Sequence, residues 1–177
     1  MLRHNPVLAK ETYDNLPHPL KQSFDWTFWH GGHVEYFLQH LYQDNKEEAN
    51  HLKIIACDVD PDILEKWKNF VKQRNDQISF LHHSYADIKC ISQEFWTFDF
   101  MLLDLWVNLE HFKDWTRGFS IKTDAPLDMR FDRTKWEPAS QLINNRSCNE
   151  LNTLLMKYWD FSLRNAEYVS LKSLITQ

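Results

Sequence analysis

The chain has 177 residues, of which 43% are hydrophobic and 25% charged, with a net charge of −5. That content is enough to bury a real core and excludes a disordered segment, and the mild negative balance excludes a protein that coats nucleic acid through overall charge. No apolar run reaches membrane-spanning length and the start, MLRHNPVLAKE, lacks an apolar signal region, so a single cytoplasmic domain with no membrane partner is expected.

Taken in chain order, apolar period and chain breakers predict an alternation of helices and strands. A helix is expected over about 6–16, a short strand running into Asp25, and a helix from His33 toward Tyr42. Between that strand and helix lies FDWTFWHGGHVE, which holds two of the chain's three glycines. A tight glycine turn there brings backbone N–H groups up to a ligand. The second strand is expected over 54–58 in KIIACDVD, with Cys57 a small buried hydrophobe and two carboxylates, Asp58 and Asp60, at its tip. An acid at that place can hold the two hydroxyls of a ribose. Pro61 starts the next helix at a position where its missing N–H costs nothing, and Asp60 is expected to cap it.

Strand three is expected at about 78–82 and strand four over 98–105, FDFMLLDL, apolar enough to be buried on both faces. Strands alternating with helices predict an α/β fold with a parallel sheet. From Pro138 onward the pattern is wholly helical, with Ser147 or Asn149 as N-cap and Leu151, Leu154, Leu155 and Tyr158 at helical spacing. Cys57, Cys90 and Cys148 are odd in number and widely spaced, which argues against a disulfide framework or a zinc site. Basic residues gather locally: Lys113, Arg117, Lys122, Arg130, Arg133 and Lys135 stand among Asp114, Asp124, Asp128 and Asp132. Such a segment can touch phosphates while the rest of the surface repels them.

These motifs carry a resemblance. RGFSIKTDAPLDMR at 117–130, together with HNPVL at 4–8, the loop at 25–33 and LLDL at 102–105, resembles the bacterial family that methylates the N4 amino group of a cytosine in 16S ribosomal RNA. It runs from His4 to about Ile175. The resemblance implies a Rossmann-like class I methyltransferase fold, S-adenosyl-L-methionine as cofactor, and the small ribosomal subunit's 16S rRNA as partner. It implies cofactor contacts at Gly31, Gly32 and His33, a ribose contact at Asp58, an aromatic beside the adenine at Tyr85, and a contact at Asp104, which also meets the target amino group as catalytic residue. His111, counted with the cofactor contacts, stands where the family usually has Gln, and Asn108, Leu109 and Glu110 replace Ser-Ser-Pro. Arg117 and Arg130 become RNA-contact candidates, and the implied mechanism requires no metal. The domains expected are 1–135 for the cofactor and 136–177 for the start of an inserted helical domain for substrate recognition.

Bland readings stand beside these. His30, His82 and His83 read as polar surface residues, Tyr85 equally as core, and Arg117 and Arg130 equally as salt-bridge partners of Asp128 or Asp132. The family continues past its helical insert to add further strands, so this chain is expected to be an N-terminal portion with about four parallel strands and strand four left as an apolar edge. A catalytically inactive fragment or ribosome-binding module is therefore one alternative. A nicotinamide-dependent oxidoreductase is another, disfavoured because the loop is not G-x-G-x-x-G.

Composition raises a separate point. Eight Trp against three Gly invert the usual proportion, since glycine averages about 7% of residues. Trp26, Trp29, Trp106, Trp136 and Trp159 stand where the resembled family has glycine, whereas Trp67, Trp96 and Trp115 have no such counterpart. The simplest reading is a gene in which UGA means glycine, translated here as tryptophan; the alternative is a Trp-rich homologue. Indoles at Trp26 and Trp29 are expected either to fill the ligand pocket or to swing into solvent.

Overall fold

A computed structural model describes residues 6–74, 76–95, 97–105, 107 and 109–175. His4, Asn5, Trp96, Trp106 and Asn108, singled out above, lie outside the described residues. By contacts the chain falls into two compact units, Met1–Trp106 and Val107–Gln177. This division lies upstream of the 135/136 boundary read from the sequence.

The first unit runs α1 (Ala9–Asp14), β1 (Gln22–Asp25), α2 (Gly32–Asp44), α3 (Lys46–His51), β2 (Lys53–Asp58), α4 (Pro61–Lys72), β3 (Ile78–His82), α5 (Ile88–Glu94) and β4 (Phe100–Leu102). All four strands are parallel, in the order β3-β2-β1-β4. The expected α/β class and strand count are what the fold contains. β2 alternates its side chains between two cores, as a strand covered on both faces must. Ile54 and Ala56 join Phe28, Val34, Phe37, Leu41 and Ile63 on one side; Ile55 and Cys57 join Phe24, Trp26 and Ile91 on the other. Phe24 and Leu41 are fully buried, each such side chain contributing about 1.5–3 kcal/mol.

Strand four departs from expectation. Instead of 98–105 it covers only Phe100–Leu102, because side chains take over the ladder at both ends. Before it, the Asp99 carboxylate accepts the N–H groups of Lys21 (2.8 Å) and Gln22 (2.9 Å), bonds that hold its pKa below the usual range. After it, the Asp104 N–H donates to Thr27 Oγ1 (2.8 Å) rather than to a strand carbonyl. β4 is a sheet edge with Met101, Leu103 and Leu105 exposed. The first helix is shorter than its apolar period, since Leu8 at its start is in the left-handed region (φ 52°).

Three of the described helices, α3, α5 and one past β4, escaped the sequence reading, although the first two carry a cap signal. Asn45 Oδ1 accepts the Glu48 N–H at the start of α3, and Ser84 with Asp87 forms a capping box ahead of α5. In the second unit a short helix α6 (Leu109–Lys113) precedes a long irregular segment, followed by α7 (Ala139–Asn145), α8 (Cys148–Trp159) and α9 (Leu163–Ile175). Ser147, one of the two expected N-caps, caps α8 in a box with Glu150. Among the described residues no helix is long and apolar enough to cross a membrane.

Asp60 takes the structural role expected of it. Its Oδ1 accepts the Asp62 N–H (2.9 Å) at the start of α4, with Pro61 at the first helical turn. Asp60→Ala should lower stability by about 1 kcal/mol, read as a lower urea midpoint with unchanged slope.

Candidate cofactor-binding site

The sheet order puts a topological switch at β1: the chain proceeds from β1 to β2 and β3 on one side, then returns to place β4 on the other. Ligands enter open parallel sheets at the carboxyl ends of the strands beside such a switch. Asp25 ends β1, Asp58 ends β2, and Asp104 lies just past β4. The expected convergence of Asp58 and Asp104 at one edge of the sheet is therefore present, and Asp25 joins them.

The turn after β1 is fixed by backbone bonds on both sides. Toward β4, the Trp26 N–H donates to the Leu102 carbonyl (3.0 Å), and Thr27 Oγ1 receives Asp104. Toward β2, the Phe28 N–H donates to the Cys57 carbonyl (2.9 Å) and the Trp29 N–H to Asp58 Oδ2 (3.0 Å). Asp58 Oδ1 accepts the Asp60 N–H (2.9 Å), so this buried carboxylate organises two loops at once.

Gly31 caps α2 in the left-handed region (φ 64°), and a Cβ there would meet Phe28 Cζ at 2.7 Å. Glycine is needed at this place both for its φ and for the close approach of the Phe28 ring. At Gly32 an added Cβ would touch Pro6 at an ordinary 3.4 Å, and its N–H is among the unpaired donors of the helix start. His33 is buried and its Nε2 donates to the Val7 carbonyl (2.9 Å), tying the helix to the segment before α1. Tyr85 is 56% exposed in the 3-10 turn past β3, so it is not core.

Asp25 was missed as a site residue. It is 4% exposed, and burial pushes its pKa up to about 7, opposed by the Thr27 N–H (3.0 Å) and reinforced by the charges of Asp58 and Asp104. Its signal in the sequence was its place as the last residue of the first strand, ahead of the glycine turn. Cys57 is inert, as expected: burial raises its thiol to about 12, and Sγ donates to the His83 carbonyl (3.2 Å).

Trp26 departs from both expected placements. Trp26 neither fills a ligand pocket nor reaches solvent; it is 3% exposed in the sheet's second core, its ring 4.1 Å from that of Phe24. Trp29 is half-buried, at φ 44°.

The other three candidates belong to the second unit. His111 is buried between the rings of Phe119 (5.5 Å) and Phe131 (5.1 Å). Arg117 is 4% exposed, its Nη1 donating to the Phe131 carbonyl (3.1 Å) and its Nε 3.5 Å from Asp114. Arg130 grips Asp128 through Nε (2.9 Å) and Nη2 (2.8 Å), and gives Nη1 to the carbonyls of Arg133 and Trp136. Both guanidiniums thus hold the irregular segment together.

The raised pKa of Asp25 makes stability depend on pH. Below about pH 4 the group is protonated whether the chain is folded or not; between about 4 and 7 only the folded protein keeps the proton, so stability falls as pH rises, and above about 7 the full cost applies. Asp25→Asn should match the parent in urea midpoint at the acid end and exceed it by an increasing margin, on the order of a few kcal/mol, toward neutrality.

A group of carboxylates beside a glycine turn on a four-stranded parallel sheet also has counterparts in sequence. A profile of the MraW methylase family matches residues 1–169. Ribosomal RNA small subunit methyltransferase H of Thermotoga neapolitana is 32% identical over 158 residues, 88% of this chain and 50% of that protein. The proteins of the same name from Methylacidiphilum infernorum and Nostoc punctiforme are each 33% identical, over 84% and 88% of this chain and 45% and 49% of their own lengths. The chain spans about half the length of the curated relatives it matches. With the family profile covering nearly every residue and the parallel sheet it calls for in place, the chain belongs to the MraW methylase family.

Proposed function

We propose that this chain carries the donor-binding part of an S-adenosyl-L-methionine-dependent methyltransferase acting on the N4 amino group of a cytosine in 16S ribosomal RNA of the small subunit. The observation that carries the reading is the gathering of three carboxylates at the carboxyl ends of the strands: Asp25 and Asp58 end β1 and β2, and Asp104, just past β4, is tied to the same turn through Thr27. The donor is a cation at its sulfonium and at its ammonium group, so a carboxylate-lined cleft attracts it. A nicotinamide dinucleotide brings an anionic pyrophosphate to the same turn and is repelled, which disfavours the oxidoreductase alternative.

Within this reading Asp58 accepts hydrogen bonds from the ribose hydroxyls while it holds the Trp29 and Asp60 amides. The start of α2 offers the donor's carboxylate the N–H groups of Gly32 and His33, which have no intrahelical partner, while Gly31 shapes the turn with its own N–H on the Phe28 carbonyl. Tyr85, exposed beyond β3, offers a face for the adenine. Asp104, held by Thr27 at the switch point, accepts a hydrogen bond from the target amino group and orients its lone pair.

When bound, the donor supplies a methyl group activated by a positively charged sulfur. The new bond joins that methyl to the cytosine nitrogen, the sulfur leaves as a neutral thioether, and the nitrogen's extra proton passes by way of Asp104 to water. The target base must leave its stack to reach the cleft, at a cost of a few kcal/mol.

His111, proposed with the donor by resemblance, lies in an aromatic cluster of the second unit, and Arg117 and Arg130 serve that unit's own loop. We infer that phosphate contacts fall more to exposed bases such as Lys122 than to these two arginines. The helices from residue 136 on remain the proposed beginning of a substrate-recognition domain. A ribosomal substrate goes with a cytoplasmic location.

Calorimetry with S-adenosylmethionine tests the reading. Binding is expected, weakened about tenfold or more by Asp58→Ala, in line with the loss of a charge-assisted hydrogen bond. Affinity should also rise as pH passes through about 7 and Asp25 ionises, and that slope should vanish in Asp25→Asn. Binding of NADH in preference to S-adenosylmethionine would overturn the assignment. Binding of the donor without methyl incorporation into small-subunit RNA would instead favour the inactive-module alternative for this length of chain.

A further inference from the structure

Among the described residues five non-glycine residues have positive φ: Leu8, Trp29 (44°), Met129, Trp136 (58°) and Asp160. Tryptophan thus supplies two of the five although the chain has only eight tryptophans. A bulky side chain in this region crowds its own backbone, and glycine alone adopts it without cost.

The surroundings show why the backbone must take this shape at both positions. At 29 the N–H is aimed at Asp58 Oδ2 (3.0 Å), and at 136 the carbonyl is aimed at Arg130 Nη1 (3.0 Å). Each is a main-chain group serving a charged side chain, and glycine would supply it unchanged. The indoles add little in return: Trp136 is 63% exposed and Trp29 is half-buried.

We propose that the protein made in its own cells carries glycine at 29 and 136, the gene using UGA as a glycine codon at both. The structure separates these two from the other described tryptophans that it places in helices or in the core. Trp159 is the last residue of α8 and Trp67 lies within α4, where glycine is unfavourable. Trp26 is buried with its indole Nε1 lacking a hydrogen-bond partner among the described residues, which marks a poor fit but sets no backbone requirement.

The gene and the native peptide decide the matter independently of the proposed reaction. UGA is expected at codons 29 and 136, and UGG at either overturns the proposal. Because some genetic codes read UGA as tryptophan, peptides from the source cells must also be sequenced by mass spectrometry: glycine at both positions is expected, and tryptophan at either refutes it. On the chain as written, Trp29→Gly and Trp136→Gly should each raise the thermal midpoint by roughly 2–4 °C. Trp67→Gly, which removes a helical ring packed on Phe28 and Phe70, should lower it. A fall for Trp29→Gly and Trp136→Gly comparable with that control would overturn the backbone argument.

Discussion

The turn between β1 and α2 is held by four bonds that reach out to both neighbouring strands, and the rest of the first unit depends on them. Trp26 and Thr27 attach it to the end of β4, Phe28 and Trp29 to the end of β2. A loop fixed on one side only would be free to swing; fixed on both, it presents α2 and the three aspartates in one arrangement. The cost is electrostatic. Burial, with the charges of Asp58 and Asp104 added to it, pushes the Asp25 carboxyl up to about 7.

The same turn contributes to the core. Phe28 enters the first hydrophobic cluster edge-on to Trp67 and Phe80, close enough to Gly31 to forbid a side chain there. Trp26, two residues earlier, enters the opposite cluster against Phe24. Alternating residues of one loop thereby pin both faces of the sheet, and disturbance of the turn reaches both cores as well as the three aspartates. Packing and chemistry are not separable here.

Much of this was legible in the sequence because the signals were local. β3 is where its apolar pattern put it, β2 begins one residue early, and Pro61 with Asp60 starts α4 as expected. Strand four was overcalled on both counts: its apolar run does not bring burial on both faces, since Met101, Leu103 and Leu105 are exposed at the edge, and Asp99 and Thr27 flank the ladder with side-chain bonds that no periodicity reveals. Asp25 was passed over for a related reason. An acid at the end of a strand reads as a solvated terminus until neighbouring strands are seen to enclose it. Left-handed backbone at Trp29 and Trp136 could be suspected from composition but located only in three dimensions.

The segment that most strongly identified the family, RGFS through PLDMR, turns out to be built of internal bonds. Arg117 donates to the carbonyl of Phe131, Arg130 clamps Asp128, and buried Asp132 accepts the Thr134 N–H and hydroxyl at its Oδ1. Gly118 sits at φ 70° with the Pro126 carbonyl oxygen only 2.3 Å from where a Cβ would stand. An irregular loop has no ladder to satisfy its carbonyls, so it needs multidentate donors such as guanidinium at fixed places, and glycine where two strands of chain cross. Those demands specify residue types as tightly as a ligand would. A long, specific motif therefore names a family through the loop it folds, while the aspartates proposed for the chemistry have a sequence context far less distinctive.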